Sequence, residues 1–264
     1  MNPTRLAVIG WPVNHSRSPA MHNAALAAVG LSDWEYQLLA VPPDDFVALV
    51  RSLPADGYRG ASVTIPHKEA ALELVDRLSE SAAAIGAVNT LIFEPGGEVV
   101  GDNTDAPGFI ASLPESPAPG STAIVLGAGG VAHAVVWALK NCGVEVAIWN
   151  RTAQRADQLA ERFDAVATAT VGPADMLVNC TAAGLDGDPF ASLPVSPDQL
   201  GDYSVVADLV YHGGPGALLE AAAAGGATTV DGIEVLVQQG AIAFEQWTGH
   251  AAPVELMRAA ALAG

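Results

Sequence analysis

Short apolar runs alternate along the chain with stretches in which apolar residues recur every three or four positions, a pattern that predicts strands and helices in turn. Residues 6–9 read as a strand. Residues 19–29 read as a helix opened by Ser18 and Pro19 and closed by Gly30. A strand over 34–41, a helix over 44–53 and a strand over 60–65 follow, and Pro66 opens a further helix to about Val75. Residues 87–93 and 99–101 form a strand pair around Pro95, Gly96 and Gly97. A Pro/Ser-rich stretch, 113–121, marks a boundary. Beyond it come a strand at 122–126, a glycine-rich turn, a helix to about Asn141 and a strand at 144–149, which together make a βαβ unit. Strands at 176–179 and 205–209 extend a parallel sheet, and helices over 233–247 and 254–262 close the chain.

Composition narrows the function. Half of the 264 residues are apolar, enough for one large core or two moderate ones, and no run of 18 apolar residues predicts a membrane span. The first residues enter a strand with no signal-like region, so a cytoplasmic protein is expected. The two cysteines, Cys142 and Cys180, are too few for a disulfide framework and are expected to be buried thiols. The six histidines lack ligand spacing, so no metal is expected. A net charge of −18 argues against nucleic-acid and anionic-membrane partners. It also means that an anionic ligand must find local positive charge among only 11 basic residues, two of them lysines.

Gly127, Ala128, Gly129, Gly130, Val131 and Ala132 fit G-x-G-x-x-G/A directly between a strand and a helix. The first glycine permits the tight turn, the second lets backbone approach a pyrophosphate, and the helix N-terminus offers N–H donors. An NAD-binding chain would place an acidic residue after the next strand; here Asn150, Arg151 and Thr152 stand there, with Arg155 one turn on. From residue 107 onward 16 acidic residues face five basic ones, a net of −11, and two of those five lie where a 2′-phosphate would sit. NADP is therefore expected over NAD.

The first half carries polar clusters at element ends. Ser16 and Ser18, ahead of a helix, suit a carboxylate, although Ser18 before Pro19 also fits a plain helix cap. Thr64 and Lys68 run from a strand into the expected helix, whose dipole disfavours a cation in its first turn. His67 reads as a surface or supporting residue. Asn89 is a polar residue in an apolar strand, where a satisfied core amide is the alternative, and Asp105 follows the last strand of this half, where it could equally cap a helix.

Taken together, these clusters resemble the shikimate dehydrogenase family over nearly the whole chain. The likeness is carried by His15-Ser16-Arg17-Ser18-Pro19, Val63-Thr64-Ile65-Pro66-His67-Lys68, Gly86-Ala87-Val88-Asn89-Thr90 and Gly101-Asp102-Asn103-Thr104-Asp105. It continues through the Gly127 turn, Asn150-Arg151-Thr152 and Leu236-Val237-Gln238-Gln239-Gly240. The resemblance implies an α/β protein with an N-terminal substrate domain (1–105, closed by 250–264), a C-terminal Rossmann-type NADP domain (106–249) and a cleft between them. It implies reversible reduction of 3-dehydroshikimate by NADPH in aromatic amino-acid biosynthesis. Lys68 and Asp105 would form the catalytic pair, Ser16 and Ser18 would hold the substrate carboxylate, and Thr64, Asn89 and Gln239 would contact ring hydroxyls. Leu209, Tyr211 and Gly232 would lie near the nicotinamide. A quinate/shikimate dehydrogenase and a non-catalytic NADP-binding regulatory protein are the alternatives, and either a monomer or a homodimer suits this size. Three positions depart from the family pattern. Ser62 stands where the family usually has Asn, Leu185 where Met is frequent, and His212-Gly213-Gly214-Pro215-Gly216 replaces a Thr-Pro turn.

Overall fold

In the computed structural model, which describes residues 3–185, 187–211, 214 and 216–264, the chain divides into two units. One comprises Met1–Gly108 with Leu236–Gly264, the other Phe109–Val235. The first contains β1 (Thr4–Gly10), α1 (Ser18–Ala28), β2 (Trp34–Ala40), α2 (Pro43–Ser52), β3 (Tyr58–Val63), β4 (Arg77–Leu78), α3 (Glu80–Ile85), β5 (Thr90–Phe93), β6 (Val99–Asp102) and the start of α4 (Asp105–Ser112). Its sheet runs β2-β1-β3-β5-β6-β4. β1 lies parallel to both neighbours, and β5 is antiparallel to β3 and β6. Both faces of β1 are covered by packed layers, hence the unbroken buried run Leu6, Ala7, Val8, Ile9. Ala7 and Ile9 join a core with Phe46, Val50, Leu91 and Phe93, and Leu6 and Val8 are buried on the opposite face.

The second unit holds β7 (Thr122–Leu126), α5 (Gly130–Asn141), β8 (Glu145–Trp149), α6 (Ala153–Phe163), β9 (Val166–Ala167), β10 (Met176–Asn179), β11 (Val205–Asp208), α7 (Ala217–Ala224) and β12 (Thr228–Asp231). Every strand pairing in it is parallel, in the order β12-β11-β10-β7-β8-β9. This is the doubly wound Rossmann order, in which the reversal falls beside the first strand, β7. The chain returns to the first unit within α8 (Gly232–Thr248) and ends in α9 (Val254–Ala263), which packs on α1.

The helix expected from Pro66 to Val75 does not form: residues 65–69 are turns and only Ala70–Glu73 coils, as one 3₁₀ turn. An α-helix would need the Lys68 carbonyl to accept from the Leu72 N–H. That carbonyl instead accepts from Val88 N–H at 2.9 Å, and Leu72 N–H turns to Glu69. Tertiary pairing thus outcompetes local propensity, and the dipole argument about Lys68 lapses with the helix. Ser18 is also not a cap: it opens α1 itself, and Arg17 is the N-cap. Residues 236–249, expected with the second unit, belong to the first. Gln239 bonds Asn89 there, the Trp247 indole N–H donates to the Leu91 carbonyl at 2.9 Å, and Gly240 approaches Met21 closely. Of the cysteines, Cys180 is buried and Cys142 half-buried. No helix among the described residues is long and apolar enough to cross a membrane.

His22, on α1, is completely buried with neither ring nitrogen hydrogen-bonded. It stacks on Tyr36 at 4.3 Å with 6° between the planes, beside Phe244 and Trp247. Burial drives its pKa down to about 3, so the folded protein holds it neutral. Below pH 6.5 the unfolded chain binds a proton that the folded chain refuses. The His22 contribution is therefore complete above that pH and falls by about 1.4 kcal/mol per pH unit on the way down toward 3. His22→Phe keeps the stack and abolishes the titration. We expect it to be more stable than the wild type at pH 7 in urea unfolding, with the gap widening by about 2 kcal/mol at pH 5; a pH-independent gap would refute the assignment.

Candidate active site

Strand ends in the first unit deliver a closed polar network. Lys68 sits in the turns after β3, and Asp105 opens α4 just beyond β6. The Lys68 ammonium donates to Asp105 Oδ2 at 2.5 Å, with side chains only 12% and 9% exposed. The other carboxylate oxygen, Oδ1, accepts from Asn89 Nδ2 at 2.8 Å. Asn89 Nδ2 also reaches Thr104 Oγ1 at 3.0 Å and Gln239 Oε1 at 3.3 Å. Asn89 Oδ1 accepts from the Thr104 backbone N–H at 2.8 Å and the Thr90 hydroxyl at 2.9 Å. The Asn89 amide is thus fully used inside the protein, and its effect is to aim the Asp105 carboxylate at Lys68. Such a charge-assisted pair is strengthened when, as here, the second carboxylate oxygen also has a donor.

Two further features frame this network. Gly108 lies so close to α8 that an added Cβ would fall 2.6 Å from the Gln239 backbone nitrogen, so only glycine lets α4 and α8 meet there. Asp102, three residues before Asp105, accepts from Ser79, from Ser81 at 3.1 Å and from Gln246 at 2.7 Å. Burial pushes its carboxyl up, but hydrogen bonds from Ser79, Gln246, the Asn103 backbone and Ser81 outweigh that and hold it below the usual range.

The structure therefore brings Lys68, Asp105, Asn89 and Gln239 together. Ser16 and Ser18 follow β1 and Thr64 follows β3, two strands whose ends are joined by Thr64 N–H donating to Ile9 O at 2.9 Å. Ser16 Oγ accepts from the Ser18 backbone N–H at 3.3 Å. Among the described residues no hydrogen bond links these three side chains to the Lys68 network. His67 is not a surface residue: it is buried, stacked on Phe46 at 4.2 Å, with Nε2 at 2.8 Å from Val41 O. Burial lowers its pKa, a shift partly opposed by that carbonyl. Ser62 accepts from the Tyr36 hydroxyl at 2.9 Å.

In the second unit the Gly127 turn follows β7. Gly127 has φ +113°, and a Cβ there would lie 3.0 Å from Cys180 O, so both conformation and space demand glycine. Nothing lies within 4 Å of where a Cβ on Gly129, the N-cap of α5, would be, so there is open space at that position, between Ala128 and the first helical residues Gly130 and Val131. Asn150, Arg151 and Thr152 follow β8, and Arg155 lies in the first turn of α6. Arg151 and Arg155 are exposed, and among the described residues neither is in an ion pair. Gly232 packs so tightly against the end of β11 that a Cβ would meet Leu209 O at 2.7 Å. Tyr211 is half-buried, whereas His212, Gly213 and Pro215, part of the departure noted after it, lie outside the described residues. Not anticipated from sequence were Thr90, Thr104, Asp102 and the buried pair Asn179 and Asp208. The signal for that pair was available: each is a polar residue ending an apolar strand, as Asn89 precedes one.

A doubly wound nucleotide-type unit joined to a unit with a buried lysine–carboxylate pair is the plan of a nicotinamide-dependent dehydrogenase. Comparison with known proteins refines this. Residues 8–91 match the family model of the shikimate dehydrogenase substrate binding domain, 114–183 that of shikimate/quinate 5-dehydrogenase, and 232–262 that of the shikimate 5′-dehydrogenase C-terminal domain. The shikimate dehydrogenase (NADP(+)) of Methanopyrus kandleri is 43% identical over 97% of this chain and 94% of its own. The structure of Thermus thermophilus shikimate 5-dehydrogenase in complex with NADP(H) and shikimate superposes with a TM-score of 0.88 at 39% identity, covering 98% of each chain. Quinate dehydrogenase from Corynebacterium glutamicum in complex with NAD gives a TM-score of 0.88 at 31% identity over 99% of each chain. The chain belongs to the shikimate dehydrogenase family.

The α4–α8 contact can be probed directly. Gly108→Ala forces a methyl into the Gln239 backbone and is expected to cost about 1–3 kcal/mol. Denaturant unfolding reads this as a lower midpoint at constant slope; an unchanged midpoint means that the two helices can part at no cost.

Proposed function

We propose that this protein catalyses the reversible, NADPH-dependent reduction of 3-dehydroshikimate to shikimate in aromatic amino-acid biosynthesis, with Lys68 and Asp105 handling the proton. The observation that carries the reading is the Lys68–Asp105 pair, held at 2.5 Å in a nearly dehydrated network within a chain of this family. Substrate binding is assigned to the first unit and the coenzyme to the second.

The second unit's residues fit NADP. The open space at Gly129 and the N-terminus of α5 suit a pyrophosphate. The exposed Arg151 and Arg155, with no ion pair among the described residues, suit a 2′-phosphate. Asn150 and Thr152 would flank that phosphate, and Leu209, Tyr211 and Gly232 would border the nicotinamide. When bound, the coenzyme supplies or accepts the hydride. Ser16 and Ser18 would hold the substrate carboxylate, with Thr64, Asn89 and Gln239 toward the ring hydroxyls. Because the Asn89 amide is already engaged, a ring hydroxyl at Asn89 must displace one of its present partners. In the reductive direction negative charge builds on the carbonyl oxygen, and the Lys68 ammonium stabilises it and delivers a proton. In the oxidative direction the Lys68 amine takes the hydroxyl proton. Asp105 accepts from Nζ in either case and keeps the nitrogen from swinging away. We assign the protein to the cytoplasm, as a monomer or homodimer.

Absorbance at the reduced-nicotinamide band, with shikimate and quinate each offered NADP and NAD, tests the reading. Turnover of shikimate with NADP is expected, and turnover confined to quinate with NAD would replace it by the quinate dehydrogenase reading. Lys68→Ala should lower kcat by roughly 10²–10⁴ with little change in the KM for shikimate; near-normal turnover removes Lys68 from the chemistry. Replacing Arg151 and Arg155 together with alanine should raise the KM for NADP by at least about tenfold, as loss of charge-assisted contacts requires. The KM for NAD should hardly move, and equal effects on both coenzymes would contradict the 2′-phosphate assignment.

A further inference from the structure

The strand order of the second unit reverses beside β7, so the half built from β7, β8 and β9, which carries Arg151, faces the adenosine end of a dinucleotide. The half built from β10, β11 and β12 is left for the nicotinamide end. At the mouth of that second half two polar side chains are buried side by side. Asn179 ends β10 and Asp208 ends β11; they are register partners, 0% and 4% exposed. Asn179 Nδ2 donates to Asp208 Oδ1 at 2.9 Å.

Each member of the pair also sets the loop that follows it. Asn179 Oδ1 accepts from the Thr181 backbone N–H at 3.0 Å and the Thr181 hydroxyl at 2.7 Å. Thr181 Oγ1 in turn accepts from Ala183 N–H at 3.0 Å, and Asn179 Nδ2 reaches Ala183 O at 3.3 Å. Asp208 Oδ1 accepts from Val210 N–H at 3.1 Å. The first loop packs its Cys180 carbonyl against Gly127, and the second packs its Leu209 carbonyl against Gly232. One amide–carboxylate contact therefore couples two loops that each touch a glycine of the proposed coenzyme site. An ionised carboxylate is costly to bury unless donors surround it, and a core residue at this strand end would pack without that cost.

From this geometry we infer that Asn179 and Asp208 are positioning residues, whose contact fixes both loops at the nicotinamide end and so sets affinity for the nicotinamide half of the coenzyme. The inference rests on the NADP reading above and deepens it. It separates the two ends of the ligand: Arg151 and Arg155, assigned to the 2′-phosphate, lie outside the coupled loops, whose contact with the phosphate-binding turn is at its first glycine, Gly127, so adenosine-end binding is far less sensitive to the pair.

The test uses the full chain and two probes, NADPH and adenosine 2′,5′-bisphosphate, an adenosine-end fragment, with dissociation constants from fluorescence titration and calorimetry. Asn179→Asp sets two carboxylates against each other. It should raise the Kd for NADPH by roughly tenfold or more, the scale of one buried hydrogen bond to a charged group, and leave the bisphosphate Kd within about twofold on that same reasoning. The exchanged pair, Asn179→Asp with Asp208→Asn, restores an amide facing a carboxylate and should recover most of the NADPH affinity. Should Asn179→Asp fail to fold, the isosteric Thr181→Val, which removes the hydroxyl between Asn179 and Ala183, carries the test with a smaller selective loss expected. Parallel loss of both ligands, unaltered NADPH binding by folded variants, or an exchanged pair no better than the single variant overturns the inference. Wild-type protein that binds the bisphosphate and NADPH while folded variants bind both normally overturns this inference alone; wild-type protein that binds neither overturns the NADP reading with it.

Discussion

A cationic lysine withdrawn from water must be held by something, and in this protein the holder is Asp105. The pair is useful because each atom of it has a fixed partner. Lys68 takes one carboxylate oxygen, Asn89 takes the other, and Asn89 is itself locked by Thr90, Thr104 and Gln239. Removing one partner from a buried ion pair leaves an uncompensated charge, whereas a fully satisfied network fixes one geometry. The long reach of α8 follows from this constraint, since Gln239 comes from a helix that starts in the other unit's sequence and closes the network 150 residues from Asn89.

The same device recurs in the second unit. There Asn179 and Asp208 end neighbouring strands and bond each other, as Asn89 and Asp105 do through the ends flanking β5 and β6. In both places an amide, which donates and accepts at once, mediates between a carboxylate and backbone that has just left a sheet. Strand ends are where the ladder stops supplying partners, so side chains must take over. They are also where α/β proteins bind ligands. Satisfying the backbone and shaping a site are then one requirement.

Much of this was legible in the chain. The βαβ period, the glycine turn, the paired strands around Gly97 and the approximate places of the long helices follow from local pattern. So does the clustering of polar residues at element ends. What local pattern missed was decided by distant partners. The segment after Pro66 has good helical spacing, but a carbonyl claimed by Val88 forbids the helix. The division of α8 between units depends on Trp247 and Gln239 finding Leu91 and Asn89. His67, beside Lys68, reads as a surface or supporting residue until Phe46 and Val41 are seen to enclose it. The short elements β4, α3, β9, α7 and β12 escape the local pattern, although α3 carries its own signals in the Ser79 cap and the left-handed Gly86.

Net charge sharpens the argument about recognition. With −18 on the whole chain, an anionic ligand meets a repulsive field at long range. That field is screened over about 8–10 Å at physiological salt. On the proposed assignment, affinity for phosphates and carboxylates therefore arises at contact, from backbone N–H groups at the N-termini of α5 and α1 and from two exposed arginines. Lys68, unlike the two arginines, is enclosed, with its side chain 12% exposed. A guanidinium in water can wait unpaired, but a lysine in a dehydrated network cannot, so the first unit must carry its counter-charge with it before any ligand arrives. The proposed division of labour, one group to bind and one to exchange a proton, rests on the asymmetry between Arg151, exposed and in no ion pair among the described residues, and the enclosed, paired Lys68.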